Sequence, residues 1–140
     1  MAATTHDLDL SKIWLFSTCS NRELRTIRRA LEEITVPAGR VLCEEGTIGR
    51  EFFLIVDGQA SVRRGGRKVS TLGPGQYFGE LALLDRRPRS ASVISDTEMD
   101  LLVLDQRQFN GLLDAAPPLA RKLLAAMATR LREADARAYR

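Results

Sequence analysis

The chain has one histidine, His6, and two cysteines, Cys19 and Cys43, in 140 residues. A lone imidazole cannot supply the clustered ligands of a catalytic metal centre, and His6 falls in an amino-terminal tail expected to be disordered. The cysteines are far apart, forming neither a CxxC pair nor the disulfide framework of a small secreted domain, so both are expected to be reduced. No apolar run approaches the roughly 18 residues of a membrane-spanning helix. Residues 1–10 carry acids and polar side chains where a secretory signal needs a basic start and an apolar stretch. The expectation is a cytoplasmic chain with no membrane segment.

Charge of one sign is also scarce. Twenty-one Lys and Arg oppose 18 Asp and Glu, a net of +3, and the arginines are scattered instead of forming the dense patch of a nucleic-acid binder. Lys122, Arg130, Arg132 and Arg137 read as the solubilising face of a helix, and no DNA-binding domain is expected in this chain. With 44% hydrophobic residues, the length suits one domain over residues 1–140.

What is present is a change of texture along the chain. Leu8, Leu10, Ile13, Trp14, Leu15 and Phe16 recur at largely helical spacing. Ser20 with Glu23 is a capping-box pattern opening a second helix, with Leu24, Ile27, Leu31 and Ile34 on one apolar face, ending before Pro37. Residues 8–35 are therefore assigned to amino-terminal helices. Short apolar runs then alternate with glycine and proline turns, among them Phe52-Phe53-Leu54-Ile55-Val56 and Leu101-Leu102-Val103-Leu104, which predicts an all-β segment over residues 36–104. Helix returns over residues 105–140, with Asp105 and Gln108 as a cap and Pro117 opening a longer helix. Leu119, Leu123, Leu124, Met127 and Leu131 form its apolar stripe, suited equally to packing on the β segment or to a self-association seam.

The chemically informative stretch is Leu72-Gly73-Pro74-Gly75-Gln76-Tyr77-Phe78-Gly79-Glu80-Leu81-Ala82-Leu83-Leu84, continuing through Pro88-Arg89-Ser90-Ala91-Ser92-Val93. It reads as a strand running into a glycine, one apolar helical turn, and a proline-fixed arginine entering another strand. Backbone N–H groups at a helix start lack internal partners and suit an anion, and Gly79 lets a ligand approach the backbone closely. Arg89 offers a planar fork of donors for phosphate oxygens, which lysine cannot copy. Glu80 would be repelled by that phosphate, so it needs another partner, and a ribose hydroxyl is a suitable donor. Singly, a glutamate or an Arg-rich turn is usually solvated surface; the combination at fixed spacing is what points to a nucleotide.

Phe78-Gly79-Glu80-Leu81-Ala82 through Pro88-Arg89-Ser90-Ala91, with Pro37-Ala38-Gly39, Glu45-Gly46, Phe52-Phe53-Leu54-Ile55 and Gly58 upstream, resembles the cyclic-nucleotide-binding domain family. That family includes catabolite activators, protein kinase A regulatory subunits and nucleotide-gated channels. The resemblance implies an eight-stranded β-roll, jelly-roll-like, with amino-terminal helices and a carboxy-terminal lid helix. It implies that Glu80 takes the ribose 2′-OH and Arg89 the cyclic phosphate, with Gly79, the amides of Leu81 and Ala82, and Ser90 nearby. Val62, Leu72, Leu83 and Val93 are candidates for the apolar wall around the base, with Leu83 ranked first and core packing as the rival reading. The last helix resembles the catabolite activator type around Met127-Ala128-Thr129-Arg130-Leu131. It carries Ala134 and Asp135 where that type places polar residues against the purine, so Asp135 is the candidate for tuning base choice.

The resulting expectation is a regulatory domain for cAMP, ahead of cGMP, with no other cofactor, that couples ligand to movement of its last helix and acts through a protein partner or self-association. The alternatives are the sensor half of a transcription regulator or channel, and a module of the same fold that no longer takes a ligand. An enzyme of the cupin kind lacks its histidines, and no nucleophile, base and orienting group act together here, so no catalysis is expected.

Overall fold

The computed structural model describes residues 8–138; His6 lies outside the described residues, as do the other positions of 1–7 and 139–140. The segment read as a first helix forms two 3₁₀ turns instead, Leu10–Lys12 and Trp14–Phe16, separated by Ile13 in an extended conformation. Leu10, Ile13, Leu15 and Phe16 are all buried in these turns. The capping box at Ser20 and Glu23 is formed and opens α1, Asn21–Ala30.

The expected helical face stops short of Ile34. Residues Glu32–Val36 are strand β1, paired antiparallel with β8, Met99–Asp105, so the helical boundary moves forward from residue 35. The reason is local: Ile34, Thr35 and Val36 are consecutive β-branched residues, which lose rotamer freedom in a helix and pack well on a pleated surface.

The remaining strands are β2 (Val41–Cys43), β3 (Glu51–Asp57), β4 (Ala60–Arg64), β5 (Arg67–Leu72), β6 (Tyr77–Phe78) and β7 (Ser92–Ser95). They form two four-stranded antiparallel sheets, ordered β1-β8-β3-β6 and β2-β7-β4-β5. Among the described residues, eight strands in two sheets with flanking helices form the β-roll that the family resemblance implies.

The continuous apolar run of β3 is explained by layering. Phe52, Leu54 and Val56 point to a core shared with the amino-terminal turns and the helices, while Phe53 and Ile55 point to a second core between the sheets. On β8, Leu102 and Leu104 join the first core and Met99, Leu101 and Val103 the second. A strand covered on both faces has no reason to alternate polar with apolar residues.

Two helices complete the helical layer. Asp105 and Gln108 form a capping box at the start of α2, Gln106–Ala115, with Gln108 N–H donating to Asp105 Oδ1 at 2.7 Å. Pro117 opens α3, Pro117–Ala138. The stripe of α3 divides: Leu119 and Leu123 are buried in the helical core, Met127 packs partly against it, and Leu124 and Leu131 are exposed. Lys122 of α3 pairs with Glu23 of α1. That contact, together with the Ser20 N–H bond, holds the Glu23 carboxyl below its ordinary value.

Candidate functional site

Strand β6 ends at Phe78, and Gly79 turns the chain. Its φ of 81° is left-handed, a conformation that costs a side-chain-bearing residue about 1 kcal/mol or more. The 3₁₀ turn Glu80–Leu83 follows, with Gly79 as its cap. After the loop to Pro88, which bridges Ile48, the chain enters β7.

A cavity of about 510 Å³ opens here between the Glu80 turn and the sheet of β2, β4 and β7, within the size range of sites for small organic ligands. Its lining includes Val62, Gly79, Glu80, Leu81, Ala82, Arg89, Ser90 and Val93. Eight of the eleven candidate site residues thus meet around one space. Leu83, Asp135 and Leu72 do not. Leu83 is 3% exposed and belongs to the helical core, because a turn of this pitch sends successive side chains to different sides; Leu81, on its other side, is exposed at the cavity. Asp135 lies on the exposed end of α3. Leu72 packs partly against the core between the sheets and does not line the cavity.

Arg89 is held from both ends. Its backbone N–H donates to Thr47 O at 2.7 Å and its carbonyl accepts from Gly46 N–H at 2.9 Å. Its side chain runs between two glycines: a Cβ on Gly49 would sit 1.8 Å from Arg89 Nε, and one on Gly79 would sit 2.7 Å from Nη1. Beyond them Nη2 donates to Glu51 O, at the start of β3, at 2.8 Å. One of five guanidinium donors is thereby used. Among the described residues, neither Arg89 nor Glu80 forms an ion pair within 4.0 Å. The cavity therefore presents a fixed cation and a carboxylate on one wall and the apolar faces of Val62 and Val93 on another, an arrangement suited to a molecule with an anionic group, a hydroxyl donor and a flat apolar part.

A family model described as "Cyclic nucleotide-binding domain" matches residues 33–116. The chain belongs to this family. It is 41% identical over 106 residues to a cyclic nucleotide-gated potassium channel of Rhizobium etli, covering 76% of this chain and 30% of the channel. It is 38% identical over 104 residues to the "Cyclic AMP receptor protein" of Thermus thermophilus, covering 71% of this chain and 48% of that one. Among solved structures, the N-terminal domain of a transcriptional regulator from Streptomyces coelicolor superposes with a TM-score of 0.82 at 30% identity, covering 90% of this chain and 91% of that one. The chain thus spans less than half the length of these two curated relatives.

Three features of this cyclic nucleotide-binding domain escape the sequence reading. Gly49 is one; its signal is a second glycine just after Glu45-Gly46 and before β3, whose need is set by an arginine forty positions later. Cys43 is another: it lines the cavity, and burial pushes its thiol up to about 11, so it stays protonated at neutral pH. Trp14 is the third. Its indole N–H donates to Glu80 Oε1 at 3.5 Å, and the Arg130 guanidinium of α3 lies 4.9 Å from its ring centroid, a cation–π contact of about 0.5–1 kcal/mol at an exposed site.

Proposed function

We propose that this domain binds a cyclic nucleoside monophosphate in the cavity, Glu80 accepting from the ribose 2′-OH and Arg89 donating to the cyclic phosphate. The observation that carries the reading is Arg89 itself: a guanidinium threaded between Gly49 and Gly79 onto Glu51 O, with no carboxylate paired to it among the described residues. The amides of Leu81 and Ala82 and the Ser90 hydroxyl complete the phosphate's partners. Val62 and Val93 form the apolar wall for the base. The reading calls for no metal or other cofactor and for no catalytic step.

cAMP is placed ahead of cGMP, in keeping with the similarity to the Cyclic AMP receptor protein of Thermus thermophilus. Ligand draws the turn of Leu81 inward, and α3 folds over the base as a lid, bringing Asp135 to it; residues 131–138, beyond the Arg130 contact with Trp14, are exposed and leave that end of the helix room to move. In this reading Asp135→Ala changes the ratio of cAMP to cGMP affinity, and an unchanged ratio removes Asp135 from base choice. The domain serves as the cytoplasmic sensor of a regulatory protein, signalling through a partner or a second copy that meets the exposed Leu124 and Leu131 of α3.

Calorimetric titration with cAMP and cGMP tests the reading. One nucleotide is expected to bind at micromolar Kd or tighter, about −8 kcal/mol, with Arg89→Ala and Glu80→Ala each weakening it at least about tenfold, the scale of a lost charge-assisted hydrogen bond. If neither nucleotide binds, the domain is an interaction module of the same fold and the receptor reading fails.

A further inference from the structure

Glu80 is not the end of the polar chain behind the cavity. Trp14, on the 3₁₀ turn Trp14–Phe16, donates to Glu80 Oε1 across 66 positions of sequence. It is half-buried, packs against the helical core, and carries Arg130 of α3 over its ring. Among the described residues one side chain thus touches both the carboxylate at the cavity and the helix beyond it.

The chemistry of the pair suits a fixed orientation. An ionised carboxylate accepts at about four positions and an indole only donates, so Trp14 holds one oxygen of Glu80 and leaves acceptor capacity for a hydroxyl. Glutamate on a short turn has three side-chain torsions to freeze when it meets a ligand. Fixing one oxygen beforehand reduces that ordering cost, which is how preorganisation raises affinity.

We infer that Trp14 is a positioning residue for Glu80, and that its ring ties this carboxylate to Arg130, so that occupation of the cavity is felt by α3 through Trp14. The inference rests on the assignment of Glu80 to the ribose. An effect carried by the ribose contact must vanish for a nucleotide lacking the 2′-hydroxyl, whereas a general loosening of the fold weakens both nucleotides alike.

The experiment measures binding of cAMP and 2′-deoxy-cAMP to wild type, Trp14→Phe, Glu80→Ala and the double variant; cGMP and its 2′-deoxy counterpart replace them if cGMP binds tighter. Phenylalanine keeps an aromatic ring at this position and removes the N–H together with the second ring of the indole, a packing loss that the 2′-deoxy nucleotide controls for. Trp14→Phe is expected to weaken cAMP about fivefold, the equivalent of one net hydrogen bond, to leave 2′-deoxy-cAMP within about twofold, and to add nothing to Glu80→Ala. An equal loss for both nucleotides, or no loss, overturns the inference while leaving the ribose assignment intact. A wild type that binds neither nucleotide overturns both.

A measurement on the unaltered protein guards against a variant that fails to fold. Trp14 is the chain's single tryptophan, so tryptophan emission reports the surroundings of this one side chain. Saturating cAMP is expected to shift it more than saturating 2′-deoxy-cAMP does, and Arg130→Gln to shift it in the ligand-free protein. Equal shifts from the two nucleotides overturn the Glu80 link, and no shift in Arg130→Gln overturns the link to α3.

Discussion

The two sheets have the same strand count and opposite exposure. In the β1-β8-β3-β6 sheet, β3 has five consecutive buried residues and β8 has buried residues facing both cores. In the other sheet, β5 is exposed at five positions and half-buried at the sixth. The central strands β3 and β8 are covered by helices on one side and by the partner sheet on the other, although β1 at the edge of their sheet is exposed at three of five positions, whereas β5 of the second sheet meets solvent. The cavity is built where they diverge: the well-covered sheet contributes β6 and the Glu80 turn, and the thinly covered one contributes the wall of Cys43, Val62 and Val93. Burial and access are thus assigned to different strands, and Arg89, just before β7, links the two sheets by reaching the carbonyl of Glu51 on β3.

The most severe test of this contrast is Phe52→Ala. Phe52 is fully buried and meets Phe16 edge-on at 6.1 Å, so its loss is expected to cost about 3–5 kcal/mol in denaturant unfolding. A loss below about 1 kcal/mol would show that the doubly covered sheet is not the stabilising one. Next is Gly49→Ala, which forces the Arg89 side chain aside at the crossing point. It is expected to lower cyclic nucleotide affinity at least about tenfold while costing only about 1–2 kcal/mol of stability, within the usual range for a point substitution. Unchanged affinity in calorimetry would mean that Arg89 reaches its position without that channel.

A smaller effect is expected in the helical layer, at the Glu23–Lys122 pair. Its folded carboxyl titrates below the ordinary glutamate value, chiefly through the Lys122 contact. Because the folded pKa is depressed, the stabilisation is fully present above the unfolded value and is lost as pH falls through the folded one. Glu23→Gln is therefore expected to cost about 0.5–1 kcal/mol at pH 7, a partly exposed pair joined to a helix cap, and nothing once both states are protonated. Thermal melts at neutral and at strongly acidic pH check the sign, and an equal cost at both would contradict it. Smallest of all is Val69→Thr on β5, 55% exposed, which is expected to stay within about 0.5 kcal/mol of wild type. A larger cost would show that the outer face of this sheet is covered after all.

The parts legible in the sequence were those governed by near neighbours. The caps at Ser20 and Asp105, the glycine turns and the Phe78-Gly79-Glu80 turn each depend on residues a few positions apart. Ile34 was misplaced because three helical repeats brought it onto the face of Leu24, Ile27 and Leu31, and only pairing with β8 reveals the strand. Leu83 was assigned to the cavity for the same kind of reason: a string of apolar residues on one short turn does not say which of them points inward.

The sequence by itself determined a β middle between helical ends, a glycine at the turn into Glu80, and the presence of one carboxylate and one guanidinium at fixed separation along the chain. Only the tertiary structure decided that Gly49 makes room for Arg89, that Leu81 and not Leu83 faces the cavity, and that Trp14 stands between Glu80 and Arg130. The physical reason is distance along the chain. Backbone preferences and caps act over one or two turns, whereas a channel for a side chain, or a donor for a carboxylate 66 positions away, exists only once the sheets and helices have packed.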